Sequence, residues 1–469
     1  MESEMLKGRT FSSKFKFIWG LANLGGALIS GVYGALLQYF YHVYLNLGSE
    51  WISLAALIYA IWNAINDPLF GYISDSSKGK NGRRIPFMRY TAPFLGLTFI
   101  LVWLVPQGIM VENNQSGIFW WMLITMLLYD TCYTIVFLMY SALLPEITES
   151  DRERGELQKY SGLFYLLGTI LGFLLPDYFR PKVGDLNMTS LYLGVTIIGI
   201  IGAVMILITT YYVKERPEFT QVDQPLNFTD SIKYTFKSKS FLILTAANFM
   251  SIFMQAIIIN EIYYLSDYVL KTSSIMPLIF IFLGLLIGTI VANKLAIIFG
   301  VVQGNQLLLF ISGIFLITLP FLPNTLIYVA LLFAGFGLSG PLVLTNILYA
   351  QVADEDELRS GVRREAAFFG TNALLTKPAQ SIALAIGPFL LDSVGFIAAG
   401  SQGIVVDQPD AVVLSIKLLI GFIPGIAMLL GALFLKWYPL KGQFLKEVQQ
   451  KVLDLHAEKH AKLGNYISQ

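Results

Sequence analysis

The 469-residue chain is poor in the residues that do chemistry. It has one cysteine, Cys132, and three histidines, His42, His456 and His460. One thiol forms no intrachain disulfide, and so few Cys and His residues yield no metal-ligand spacing. There is no H-E-x-x-H and no Walker loop, so neither zinc hydrolysis nor ATP as a driver is indicated, and no enzyme is expected. The N-terminus lacks a secretory signal with a small-residue cleavage site. A net charge of +1 singles out no partner, and no nucleic-acid partner is expected. The scarcest commodity is charge itself, at 13% against about 25% in soluble domains.

Hydrophobic residues, by contrast, make up 55% of the chain. Such a sequence cannot cover itself with polar surface, so lipid is its solvent. A transmembrane helix needs roughly 20 mainly apolar residues. Twelve such stretches run from Phe17–Leu45 through Trp51–Tyr72, Ile118–Leu144 and Phe241–Leu265 to Ala411–Trp437, with Leu307–Leu319 the shortest. The expected fold class is an all-α membrane protein with twelve transmembrane helices in two six-helix pseudo-repeat halves. The halves are residues 1–213 and 241–437, separated by a middle loop at 214–240 and followed by an amphipathic tail helix at 438–469.

Charge placement sets the orientation. Lys78, Lys80, Arg83 and Arg84 follow span two, Arg152 and Arg154 follow span four, and Arg359, Arg363 and Arg364 follow span ten. The positive-inside rule then predicts that both termini are cytoplasmic. The repetition is visible in "PEITESDRER" after span four and "QVADEDELRS" after span ten, each acidic and then basic. Repeated halves around a central site suit alternating access.

An ionisable group inside a span costs about 2.5–3.5 kcal/mol on insertion scales and marks function by default. Asp67 is the leading example. Asn63 lies one helical turn before it, Asn66 is adjacent, and Pro68 frees a backbone carbonyl one turn back. These oxygens suit a hard cation such as Na⁺, while a desolvated lone carboxylate can instead take a proton. A helix-capping or lysine-paired aspartate is the plainer explanation. Asp130 and Thr134, at i and i+4 in span four, are expected to add oxygens to the same site; packing through a hydroxyl is their alternative. Glu261, near the end of span seven, reads at least equally well as an interfacial carboxylate. Thr245, Asn248, Ser251 and Gln255 keep helical spacing and either line a cavity or bond between helices. In "TNALLTKPAQ", Asn372 and Lys377 face the question of what satisfies a buried ammonium. Asp75, Arg83, Arg84, Arg154, Arg363 and Arg364 form a candidate cytoplasmic gate, although basic loops also serve orientation alone.

The motifs "NDPLFGYISD…GRRIPF", "ALLPEITESDRER" and "DELRSGVRREAAFFG…K" resemble the glycoside–pentoside–hexuronide:cation symporters of the major facilitator superfamily, over essentially the whole chain. That family includes melibiose/sodium symporters and, more distantly, lysophospholipid/sodium symporters. The resemblance implies the major facilitator fold and a cation site on Asp67, Asn66, Asn63 and Thr134. It also implies that Lys377 links the cation and substrate regions. The melibiose member has an acid where this chain has Asn63, and Asp130 is the expected substitute. The acids that grip the sugar in that member correspond here to Ala27 and Phe137, and a helix-five arginine to Gly162.

The expected substrate region therefore combines aromatic faces and polar tips from Trp19, Asn23, Tyr33, Tyr59, Trp62 and Tyr133 with Gln255, Asn372 and Lys377. The resulting expectation is a Na⁺- or H⁺-coupled symporter moving a sugar or glycoside, without a cofactor, as a monomer among the lipids of the cell membrane. A transporter of lysolipids or other amphipathic molecules is the first alternative. A non-transporting sensor or scaffold is the second.

Overall fold

The computed structural model describes residues 11–76, 84–111, 114–147, 151–181, 187–214, 236–360, 365–398 and 407–467. Among these residues there is no strand. An apolar solvent offers backbone groups no hydrogen bonds, so each segment satisfies its own by coiling. The long helices are α1 (Ser13–Tyr39), α2 (Ser49–Ser76), α3 (Ile85–Trp103), α4 (Gln115–Ile147), α5 (Asp151–Leu174) and α6 (Thr189–Tyr212). They continue with α7 (Lys239–Tyr264), α8 (Ile275–Phe299), α9 (Val301–Thr318), α10 (Asn324–Ser360) and α11 (Glu365–Ser393). Helix α12 comprises Asp410–Lys417 and Ile423–Lys436 joined by one wide turn, and α13 is Gly442–Ile467.

Eleven helices of the described residues are long and apolar enough to cross a membrane. The span expected at Leu307–Leu319 is longer than its hydropathy suggests, running from Val301 to Phe321. Helix α2 falls outside these eleven although it has 28 residues. Asn63, Asn66 and Asp67 dilute its apolar run, and counting it restores the twelve spans read from the sequence.

Helices α1 and α7 finish alike. Each runs into a π-helical turn, Phe40–Tyr44 and Leu265–Leu270 respectively. Each turn is followed by a non-glycine residue in the left-handed region, Asn46 at φ 50° and Lys271 at φ 53°. Asparagine tolerates that conformation; lysine occupies it at a cost.

The contacts divide the chain into two compact units. The first contains Met1–Gln224 together with Ile259–Leu278 and Leu384–Ser415. The second contains Pro225–Ile258, Ile279–Ala383 and Ile416–Gln469. In the first unit α1 packs against α5 and α6, α3 against α4 and α6, and α2 against α4. Gly31 and Gly172 bring α1 and α5 together: a Cβ on Gly172 would stand 2.8 Å from the Gly31 Cα. In the second unit α9 packs on α10 and α12, and α13 lies against α10. There, a Cβ on Gly335 would meet the Ile281 carbonyl oxygen at 1.9 Å. Small residues at such crossings let backbones touch, which replaces the hydrophobic drive that lipid removes.

A buried ionic knot ties the first unit together. Arg180 donates to Asp177 Oδ1 at 2.9 Å and to Asp267 Oδ2 and Oδ1 at 2.6 and 2.8 Å. Asp177 also accepts from Ser273 and Ser274, and Asp267 from the Tyr39 hydroxyl. The guanidinium lies 4.4 Å from the Tyr263 ring centroid. Burial works against the charge of Arg180, but the hydrogen bond and charge of Asp267 outweigh it and hold the pKa well above the usual arginine value. Replacing Arg180 with Met should cost about 3–5 kcal/mol, because two buried carboxylates lose their common partner. Thermal unfolding in detergent measures this, and a variant as stable as the parent would remove Arg180 from the scaffold.

Candidate functional site

The polar stripe of α2 meets α4. Asn66 Nδ2 donates to Asp130 Oδ2 at 2.9 Å, and the Tyr59 hydroxyl donates to Asp130 Oδ1 at 3.0 Å. Thr134 Oγ1 donates to Asp67 Oδ1 at 3.1 Å. Each contact follows from helical spacing. Tyr59, Asn63, Asn66 and Asp67 share one side of α2, and Asp130 and Thr134 share one side of α4. Asn63, Asn66, Asp130 and Thr134 are buried, while Asp67 is half-buried. The Oδ1 of Asn66 is buried without a donor. Two carboxylates and an unsatisfied amide oxygen therefore gather at one helix crossing, the kind of oxygen-rich donor set that Na⁺ takes. Asp130 stands within this set, on the helix that also supplies Thr134.

Of the aromatic residues expected around the substrate, Tyr133 is on α4, Trp19 and Tyr33 are on α1, and Tyr59 and Trp62 are on α2; Tyr133 stands in a row of rings along α4. Tyr129, Tyr133 and Phe137 repeat at i, i+4, i+8, and Tyr133 and Phe137 have ring centroids 4.5 Å apart. At one end the Tyr33 ring stacks on Tyr129 at 4.1 Å, and at the other Trp19 stacks on Tyr140 at 4.3 Å. The Phe137 ring lies on the backbone of α1: a Cβ on Gly26 would meet it at 1.8 Å. Ala27, the other position where the resemblance looks for a sugar-gripping acid, is buried. A Cβ added at Gly162 would find open space. Asn23 Nδ2 donates to Ser161 Oγ at 2.5 Å, placing one polar pair beside this row. Trp62 donates to Thr131 Oγ1 at 3.0 Å, so its indole N–H serves the α2–α4 crossing.

Gln255, Asn372 and Lys377 belong to the second unit. Gln255 is exposed and Lys377 half-buried. Asn372 Oδ1 accepts from Asn248 Nδ2 at 3.2 Å and from the Tyr349 hydroxyl. Thr245 also meets the Tyr349 hydroxyl, at 3.2 Å. Thr245 and Asn248 therefore bond between helices rather than standing free to line a cavity, and Ser251 bonds back to the Ala247 carbonyl.

Of the gate residues, Arg84 precedes α3 and is buried. Arg83, Arg363 and Arg364 lie outside the described residues, as do the side chains of Asp75 and Arg154.

One expectation is corrected. Glu261 is not solvated but fully buried in the protein, with Oε1 accepting from Gln38 Nε2 at 2.6 Å. The helical segment does not stop at Leu265 but continues through the π turn to Leu270, so Glu261 does not stand at its end. His42 is likewise buried, between the Tyr264 hydroxyl at 2.7 Å and Asp392 at 2.8 Å. Sequence reading missed both pairings, since their partners lie more than two hundred residues away.

Comparison with known proteins places the architecture. The chain is 25% identical over 480 residues to the sodium-dependent lysophosphatidylcholine symporter 1 of Gallus gallus, covering 91% of this chain and 87% of that one. It is 23% identical over 451 residues to YagG of Escherichia coli K12, a candidate glycoside/cation symporter, covering 94% and 95%. The fold is similar to that of a bacterial homologue of the human lysosomal transporter Spinster, with a TM-score of 0.66, 10% identity, and 92% and 97% of the two chains covered. A family model described as MFS/sugar transport protein matches residues 18–442. The relatives are membrane transporters rather than enzymes, and this chain, a multi-pass membrane protein, belongs to the MFS/sugar transport protein family.

Proposed function

We propose that this transporter is a cation-coupled symporter of the cell membrane, with cytoplasmic termini, whose substrate is an amphipathic molecule of the lysolipid type. The carrying observation is the Phe137 ring seated on the α1 backbone at Gly26, within a row of aromatic faces. A sugar hydroxyl buried there would find a ring edge instead of a carboxylate, and an unpaired buried polar group costs about 1–3 kcal/mol. An acyl chain or an apolar aglycone makes no such demand. The name of the chicken relative supports the reading. A glycoside substrate is the second reading. The family description, the name of YagG and the Asn23–Ser161 pair favour it.

Asp67 and Asp130 hold the coupling ion, with Asn63, Asn66 and Thr134 completing the oxygen set. Na⁺ is favoured over a proton because the crossing offers several oxygen ligands at once, whereas a proton would bond to a single carboxylate oxygen; either cation relieves the repulsion between the two carboxylates. Binding of the ion lowers the negative charge at the crossing of α2 and α4. The substrate then enters. Rocking of the halves releases both species.

Three outcomes test this. Asp67→Asn should abolish uphill accumulation while leaving thermal stability near that of the parent; normal accumulation would exclude Asp67 from coupling. With Na⁺, Li⁺ and a pH gradient applied separately to vesicles, Na⁺ should drive uptake and Asp130→Asn should remove that dependence. Uptake driven by the pH gradient alone would replace Na⁺ with H⁺. In detergent, lysophosphatidylcholine should raise the unfolding temperature, by the equivalent of about 2.7 kcal/mol at a hundredfold excess over its Kd. Stabilisation by glycosides alone would establish the sugar reading, and absence of counterflow with either class would leave a sensor or scaffold.

A further inference from the structure

Glu261 has no place in that cycle, and its surroundings call for explanation. It is fully buried, and among the described residues no Lys, Arg or His forms an ion pair with it. Its polar neighbour is Gln38 of α1, whose Nε2 donates to Oε1 at 2.6 Å. Gly387 of α11 closes the third side, where a Cβ would stand 1.8 Å from Oε1 and 2.6 Å from Gln38 Nε2. All three residues belong to the first compact unit. Two atoms of this contact are orphaned acceptors: Glu261 Oε2 and Gln38 Oε1 are both buried without a hydrogen-bond partner.

A carboxylate can only accept, and so can an amide oxygen. A carboxylic acid gains one donor. A carboxylic acid and a primary amide also pair through two hydrogen bonds, one running each way. The first of these, amide to carboxyl, is present. The donor missing from the second is a single hydrogen on Oε2.

The other titratable groups of this part of the first unit have partners of their own. Tyr264, one turn further along α7, is held by His42. His42, in the π turn that ends α1, also meets Asp392 of α11, whose second oxygen accepts from the Ser49 N–H. Arg180 is engaged by Asp177 and by Asp267. None of these supplies the counter-charge that an ionised Glu261 would need.

We propose that Glu261 is a proton-binding site separate from the Asp67–Asp130 cluster, filled while Gln38, Glu261 and Gly387 join α1, α7 and α11, and emptied when that contact parts. Loss of the proton sets a carboxylate against the Gln38 carbonyl oxygen in a dry contact, which drives the three helices apart. The transporter therefore senses pH at a point away from its ion site.

Infrared titration of the full chain in lipid nanodiscs tests this. The parent should show a protonated-carboxyl C=O band that persists above neutral pH and is missing in Glu261→Gln. In Gly387→Ala, where the added methyl pushes into the contact, the band should disappear at lower pH. Thermal stability gives a second readout. The folded parent holds a proton that the unfolded chain releases, so its stability should fall as pH rises, whereas Glu261→Gln, which keeps a donor facing Gln38, should show a flatter profile. Superimposable spectra and pH profiles in parent and Glu261→Gln overturn the proposal. If Glu261→Gln does not fold, Gly387→Ala decides: an unchanged band refutes the site. Stabilisation of Glu261→Gln by Na⁺ reports on Asp67 and Asp130 independently, so the two readings fail separately.

Discussion

The constraint beneath this structure is that a polar group removed from water has to find its partner inside the protein. Lipid forgives neither an open backbone hydrogen bond nor a lone charge, so helices account for the long segments and the ionisable groups collect in knots. Among the described residues of the first compact unit, three of these knots are each resolved differently. Arg180 is matched by two aspartates and two serines. Asp130 and Asp67 are met by hydroxyl and amide donors, but one amide oxygen of Asn66 goes unanswered. Glu261 has an amide on one oxygen and nothing on the other. The first knot is complete and behaves as scaffold. The other two are incomplete, and they are the places where we propose that an ion and a proton bind.

The aromatic row on α4 works on the same principle from the opposite direction. Its rings ask for no polar partner, so α1 can press its backbone directly onto Phe137 at Gly26. The polar crossing with α2 and the apolar row share one helix, which gives α4 contact with both the proposed ion region and the proposed substrate region.

Much of this was legible in the sequence, for identifiable reasons. The spans follow from hydropathy, and even α2 announces itself through the regular spacing of Asn63 and Asp67, which survives as one polar face against α4. The pairing of Asp130 with Asn66 was within reach because both residues were singled out as intramembrane oxygens. Glu261 was not legible. Hydropathy ends α7 at Leu265, and only the π turn reveals that the helix continues. Its partner Gln38 lies 223 positions away, a separation that no local pattern encodes. Tyr129, Tyr133 and Phe137 carried a readable period, yet a row of aromatics at helical spacing is also what an ordinary core looks like, and the stacking partners on α1 decide the matter.

The matching ends of α1 and α7 have a consequence for how the chain tolerates insertion and deletion. A π turn holds one residue more than an α turn, and each residue advances a helix by about 100°. Excising a single residue from Phe40–Tyr44 or Leu265–Leu270 would restore regular winding and swing every side chain beyond it by that angle. His42 would then turn from Tyr264, or Asp267 from Arg180. The extra residue acts as a phase setting, and the length of these two segments is as strictly specified as the identity of any side chain they aim.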